Sequence, residues 1–440
     1  MSNISAKEPL IRISKRVDMA WWKRLIVRAG AIILALGVAA LFIYFITKLN
    51  PVDVYKAMWE GAFGNDMPAM KKLRISATVK DVCTLLLLGV ALAPAFKMRF
   101  WNIGAEGQML MGGVATAFVM INFGGKWSNG TLLVVAFAAA IIVGALWGLL
   151  PAVFKAVWNT NETLFTLMMN YVAIQITSFC VAKWENPFGS NSVGIINQKN
   201  QAGWFPAAEL PDWIEKYFDP KYALNVLIAV IAVGAMYIYL KQSKQGYEIA
   251  VVGESENTAK YAGISVKKVI IRTMLISGAI CGLAGYVGVA GVDHTISTST
   301  AGGRGFTAII VAWLAKFNTF VMVLISLLIV FLNKGAVQIA SQFQLNEYAS
   351  DIITGIILFF ILGSEFFINY KLHFRHKTAE GETTASAVET AATETEETVG
   401  ENEEEIASDK TNEDETDNNN ENIADESAAE NPATGKEDKE

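Results

Sequence analysis

Runs of 15 to 24 uncharged, mostly apolar residues recur through the first 377 positions of this 440-residue chain. At a rise of about 1.5 Å per residue, such runs match a hydrocarbon core of about 30 Å. No water reaches backbone N–H and C=O groups at that depth, so each span must satisfy them internally, which an α-helix does. The expected fold class is all-α: a polytopic helical membrane protein with about ten transmembrane segments, some short or broken. Candidate spans fall at 29–47, 82–96, 107–123, 131–154, 163–182, 223–240, 273–292, a short 306–315, 319–332 and 350–368. The first follows a basic stretch and lacks a small-residue cleavage site before a soluble domain, so a retained span is expected rather than a removed signal peptide.

The net charge of -6 conceals two electrostatic parts. Beyond Lys377 stand 22 acidic residues and 3 lysines, leaving 33 Lys plus Arg against 20 acids, net +13, in residues 1–377. The segment 378–440 has few large apolar residues and is rich in Glu, Asn, Thr and Ala, so it is expected to be a disordered acidic tail, a solvated spacer or an interaction segment. Cys83, Cys180 and Cys281 lie in or beside apolar runs without C-x-x-C spacing and read as small buried hydrophobes. His294, His373 and His376 are too few and too scattered for a metal site.

Orientation is expected from the Lys and Arg bias of short loops. Arg12, Lys15, Arg16, Lys23, Arg24 and Arg28 fill a basic N-terminus at 1–28; Lys241, Lys244, Lys260, Lys267, Lys268 and Arg272 fill the loop 241–272; Lys371, Arg375 and Lys377 follow the last span. With ten spans all three fall on the cytoplasmic side, placing both termini there and the permeating domain at 29–370. The loop 50–81 disagrees, being external by this count yet carrying Lys56, Lys71, Lys72, Arg74 and Lys80. The external loop 183–222 interleaves Trp184, Trp204, Trp213, Tyr217 and Phe218 with four prolines, either an interfacial cap or a docking surface.

Polar groups interrupt the apolar pattern at a few places. In NIGAEGQ, Asn102 can cap a helix start and Glu106 lies one turn on along the same face. A carboxylate facing lipid costs on the order of 2.5 kcal/mol or more, so Glu106 must meet a cavity, a partner, or Arg99 or Lys97 at the interface. Glu162, Thr166 and Asn170 recur every fourth residue beside Met168 and Met169, giving either a water-lined path or interhelical hydrogen bonds. Gly278, Gly282, Gly285 and Gly288 form a small-residue packing face. The glycines before Phe306, with Arg304 among them, open a run too short to cross, whose positive N-terminus can point into a cavity.

The polar stretch GYEIAVVGESENTAKYAGISVKKVIIR at 246–272 is of another kind. Ser255 can cap, residues 256–262 can form about two helical turns, and Gly263 supplies a stop. Asn257, Thr258, Ala259 and Ala262 are expected to be exposed. A helix this short is marginal alone, so it folds onto its own domain or serves as a peg for a groove in another protein. The chain has no G-x-x-x-x-G-K-[ST] loop, no H-E-x-x-H and no nucleophile with a partnered His. No enzymatic activity and no nucleic-acid partner are expected.

NIGAEGQMLMGG from Asn102, NETLFTLMMNYVA from Asn161, GESENTAKYAGIS from Gly253 and AGGRGFTAIIVAWLAKFN from Ala301 resemble, in this order, permease subunits of bacterial ABC importers of the branched-chain amino acid and simple sugar superfamily, nucleoside branch. The likeness covers about residues 50–370, and the acidic tail departs from it. It implies a nucleoside importer in the cell membrane, working with a cytoplasmic ABC ATPase that binds ATP and Mg, a second permease subunit and an external substrate-binding lipoprotein, with no cofactor on this chain itself. The resemblance makes Asn102, Glu106, Gln108, Glu162, Thr166, Asn170 and Arg304 candidates for the solute path, and Glu254, Asn257, Ala259, Tyr261 and Gly263 candidates for coupling to the ATPase. Sugar or amino acid cargo stays open, as does an ion-coupled secondary transporter with Glu106 and Glu162 as proton sites.

Overall fold

The structure, a computed structural model, describes residues 11–16, 19–345 and 347–374. The acidic tail expected at 378–440 lies outside the described residues, as do Arg375, His376, Lys377 and the start of the basic N-terminus. Contacts divide the chain into Ile13–Lys371 and a second unit of Met1–Arg12 with Leu372–Glu440, of which only residues 11, 12 and 372–374 are described.

A short strand, β1 (Ile11–Lys15), precedes the helices. They are α1 (Trp21–Phe42), which runs on as a π-turn, α2 (Pro51–Phe63), α3 (Pro68–Lys97), α4 (Ala105–Phe123), α5 (Asn129–Trp158) and α6 (Glu162–Trp184). After the one-turn α7 (Asp212–Glu215) come α8 (Ala223–Gln242), α9 (Lys244–Glu254), α10 (Glu256–Tyr261), α11 (Val266–Gly288), α12 (Arg304–Leu314), α13 (Thr319–Phe343) and α14 (Glu347–Asn369), followed by the strand β2 (Tyr370–Phe374). Eight of these helices are long and apolar enough to cross a membrane. The short α12 and the polar-headed α4 occupy the remaining two expected span positions, so the ten-segment pattern is present as eight long spans and two exceptions.

Burial orders the bundle. The most apolar windows of α3 and α11 are 72% and 67% buried, against 17–39% for the other six spans, so these two, with the largely buried α4, form the centre and the other six spans turn a face outward. The centre is built on small residues. On α11 a Cβ at Gly282 would lie 2.2 Å from the Ala140 carbonyl oxygen of α5, and one at Gly278 would lie 2.4 Å from that of Gly144. Only glycine lets the two backbones approach this closely, and dispersion between such surfaces is a main source of helix association in lipid. A second apolar cluster joins Ala35 and Ala39 of α1, Val54 and Met58 of α2, Ile339 of α13 and Ile357 of α14.

The loop expected at 50–81 is largely helical. Asn50 caps α2 by accepting the Val52 N–H, Pro51 takes the first helical position, and Ala57 and Met58 are buried. Its charges disguise the apolar period. Similarly, 241–272 holds two helices before α11 begins at Val266, ahead of the expected start at 273. Cys83 and Cys281 are buried as expected, whereas Cys180 is only half-buried.

The loop 183–222 neither caps the bundle uniformly nor stands clear of it. Trp213 is 73% exposed, while Phe205 is buried and Trp204 stacks on His294 with ring centroids 3.8 Å apart. Trp204 Nε1 donates to the Ile196 carbonyl. Burial, with the nearby cations Lys221 and Lys80, pushes the His294 pKa down to about 4, so the stacked ring is neutral.

Two outcomes follow from this packing. Gly282→Val is expected to lower the apparent melting temperature in detergent by several degrees, whereas Gly234→Ala, where a Cβ meets open space, leaves it unchanged or slightly raised; equal behaviour would refute the close-approach account. An unfolded histidine titrates near 6.5, so the stabilisation from neutral His294 is full above that pH and is lost as pH falls towards about 4. Melting temperatures recorded between pH 7 and pH 4 are therefore expected to fall less steeply in His294→Gln than in the unaltered protein.

Candidate functional site

Between α3 and α4 the chain makes a tight turn that leaves several backbone groups needing partners. Arg99 adopts a left-handed φ of 62° there. Asn102 is fully buried, and its Oδ1 accepts from the Gly104 N–H at 3.0 Å, two residues on, so it closes the turn before α4 and does not itself cap the helix, whose N-cap is Gly104. Asn102 also pairs reciprocally with the side-chain amide of Gln108 at 3.2 and 3.3 Å, and its Nδ2 reaches Ser277 Oγ of α11 at 3.2 Å.

Helix α6 secures the same turn from another side. Thr166 Oγ1 accepts the Ile103 N–H at 3.2 Å, and Asn170 accepts the Gly107 N–H and donates to the Ile103 carbonyl, both at 2.9 Å. Thr166 and Asn170 are 0% and 3% exposed. Of the two uses their four-residue spacing leaves open, this geometry is that of interhelical hydrogen bonding. A Cβ at position 107 would strike Asn170, which is why glycine stands there. Glu162, the third member of the stripe, points to a different task, pairing with Lys155 of α5 at 3.0 Å.

Glu106 meets neither Arg99 nor Lys97. Its Oε1 accepts the Gly303 N–H and its Oε2 the Gly305 N–H, each at 2.7 Å, so one carboxylate caps the N-terminus of α12 while sitting in the first turn of α4. Two helix N-termini, each carrying roughly half a positive charge, converge on it. A Cβ at position 305 would lie 2.5 Å from the Glu106 nitrogen, so the approach requires glycine. The positive end of the short helix therefore faces this buried carboxylate, while Gly302, Arg304 and Thr307 beside it line a cavity. Arg304, beside it, pairs instead with Asp81 of α3 at 3.2 Å and bonds the Thr300 carbonyl.

The α9–α10 elbow lies against the same C-terminal end of α3 that leads into the turn before α4. Ser255 accepts the Thr258 N–H, Gly263 takes a φ of 74°, and the Ile264 N–H returns to the Ala259 carbonyl, which closes α10 at both ends. Glu254, Asn257 and Tyr261 are exposed, Tyr261 by 94%. Ala259, expected on the exposed face, is fully buried: a six-residue helix needs an anchor, and this methyl group supplies it. At Gly253 a Cβ would lie 2.1 Å from the Lys97 carbonyl oxygen, so α9 rests directly on the end of α3. A cavity of about 220 Å³ there is shared by Arg99, Phe100, Lys155, Glu162 and Gly253 to Glu256. The seven candidate path residues are thus divided between the turn, the α5–α6 ion pair and the α3–α12 ion pair, whereas the five coupling candidates fall together on the α9–α10 elbow and the turn that ends it. Asp81 and Lys334 complete the Arg304 group; each sits at the edge of an expected span, at 82–96 and 319–332, and only because α3 and α13 extend beyond those spans do they lie within the bundle.

Glu106→Gln replaces one acceptor with an NH₂ group facing a backbone N–H. The expected loss is about 1–3 kcal/mol in addition to the charge–dipole term, seen as a lower apparent melting temperature in detergent. Unchanged stability would remove Glu106 from the position given to it here.

Residues 74–362 match the family described as branched-chain amino acid transport system, permease component. The guanosine ABC transporter permease protein NupP of Bacillus subtilis is 31% identical over 77% of this chain and 93% of its own length. The glucose ABC transporter permease protein TsgB13 of Haloferax volcanii is 29% identical over 74% and 84%, and the nucleoside ABC transporter permease protein NupB of Lactococcus lactis is 28% identical over 71% and 84%. No solved structure matches. A match across most of the helical bundle, including the Glu106 junction and the α9–α10 elbow, makes this chain a member of the branched-chain amino acid transport system permease family.

Proposed function

We propose that this permease moves nucleosides into the cell as the membrane-spanning part of an ABC importer. The observation that carries the mechanism is the exposed peg α10, with Tyr261 outward, Ala259 anchored and its supporting helix seated on the end of α3. From that seat, α3 leads into the turn at 98–104 and so to Glu106 and the start of α12. A partner ATPase that binds ATP and Mg and grips α10 would therefore push, through contacts too close to be compressible, on the junction of the mid-membrane helices. A second permease subunit and an external binding lipoprotein complete the proposed complex. Both termini lie in the cytoplasm in this reading, which the basic clusters support.

The nucleoside cargo rests on the likeness to NupP and NupB. The glucose permease, nearly as similar, makes a hexose the competing cargo. Proteoliposomes holding the permease, its ATPase and its binding protein are expected to accumulate tritiated nucleoside with ATP after the proton gradient is collapsed, and an excess of glucose is expected not to compete. Uptake that needs the gradient, or glucose uptake alone, would overturn the proposal. Tyr261→Ala, an exposed change, is expected to reduce nucleoside-stimulated ATP turnover by about tenfold or more, as for an interface anchor. Gly263→Pro, incompatible with the positive φ, is expected to abolish it while membrane insertion persists.

A further inference from the structure

Three charged side chains meet well inside the bundle. Asp81 lies 13 residues from the start of α3, about 20 Å along its axis, and Lys334 lies 15 residues into α13, about 22 Å. Asp81 Oδ1 accepts from Arg304 Nη2 at 3.2 Å, and Oδ2 pairs with Lys334 Nζ at 2.5 Å. The three side chains are 15%, 32% and 28% exposed, and they line a cavity of about 250 Å³ between α3, α12 and α13, together with Ser299, Thr307 and Asn333.

One carboxylate cannot balance two cations. Glu106, bonded to the backbone on either side of Arg304, and Asp293 supply further negative charge nearby, but neither lines the cavity, whose wall carries the two cations and Asp81 alone. A charge facing lipid at this depth costs several kcal/mol, and packing alone could be achieved by apolar side chains at no such cost. The wall of the cavity therefore offers two cationic donor groups beside one acceptor whose two oxygens are already engaged.

Resting on the nucleoside reading, we infer that this cavity is a solute station selecting bases with a lactam edge, where a ring carbonyl adjoins a ring N–H. The carbonyl has two lone pairs for Lys334 and Arg304, and the adjoining N–H donates to Asp81. An aminopurine edge has the opposite stoichiometry, one ring lone pair beside two amino hydrogens: in the same register its amino hydrogens face the two cations, and in the reversed one its single lone pair serves only one of them. Inosine and adenosine, alike in shape and different at this edge, separate the two.

Equilibrium binding of tritiated inosine and tritiated adenosine to the detergent-solubilised permease–ATPase complex tests this. The external binding protein is left out so that its own selectivity does not enter. Inosine is expected to bind about tenfold tighter or more, the discrimination typical of a paired base-edge contact. Lys334→Gln and Asp81→Asn are each expected to bring the ratio of affinities towards one, and a ratio does not depend on the fraction of protein folded. Equal affinities in the unaltered complex, binding of neither nucleoside, or a ratio unchanged in both variants would overturn the inference, the last leaving the three charges as a clamp between helices. A complex that imports both nucleosides in proteoliposomes yet shows no such preference sinks this station alone, whereas one that imports neither sinks the nucleoside reading beneath it.

Discussion

A carboxylate between two helix N-termini organises this bundle. Glu106 satisfies two orphan N–H groups of α12 and supplies negative charge where the dipoles of α4 and α12 both end. A helix as short as α12 could not start inside the bundle without such partners, because its first N–H groups would be buried unpaired. With the cap in place the chain can interrupt a span, and the interruption brings Arg304 to the cavity wall beside Asp81 and Lys334. Asn102, Gln108, Thr166 and Asn170 support the same point by holding the backbone that presents Glu106.

Close backbone approach is the other constraint, and it connects distant parts. Glycines at 253, 278, 282 and 305 each stand where a side chain would meet a neighbouring backbone within about a bond length or two. Surfaces this close transmit displacement with little loss, unlike long side chains that can reorient. The contact of Gly253 with the end of α3 and that of Gly305 with Glu106 mark the two ends of one rigid route, from the exposed α10 to the interrupted helix. In the proposed complex, that route is the one by which a partner ATPase would move the interrupted helix.

Much of this was legible in the order of residues. The uncharged runs specified a helical membrane bundle because lipid permits few alternatives. Ser255 and Gly263 marked α10, since capping and a positive φ are local demands that a sequence must meet locally. The helices at 51–63 and 68–81 were obscured by their charges, several of which find partners only in distant segments, Lys72 with Glu215, Arg74 with Gln338 and Asp81 with Lys334. Glu106, Thr166 and Asn170 were recognisable as polar groups in need of partners, but not whose partners they were.

What the sequence determined by itself was therefore local and compositional: span number, glycine-rich faces, caps, and the resemblance carried by four motifs. The tertiary structure alone decided that Glu106 caps a helix 197 positions away, that Ala259 turns inward while Tyr261 turns out, and that Asp81, Arg304 and Lys334 share one cavity. Hydrogen bonds and ion pairs act over about 3 Å, and no local propensity encodes which distant segment the fold will bring within that distance.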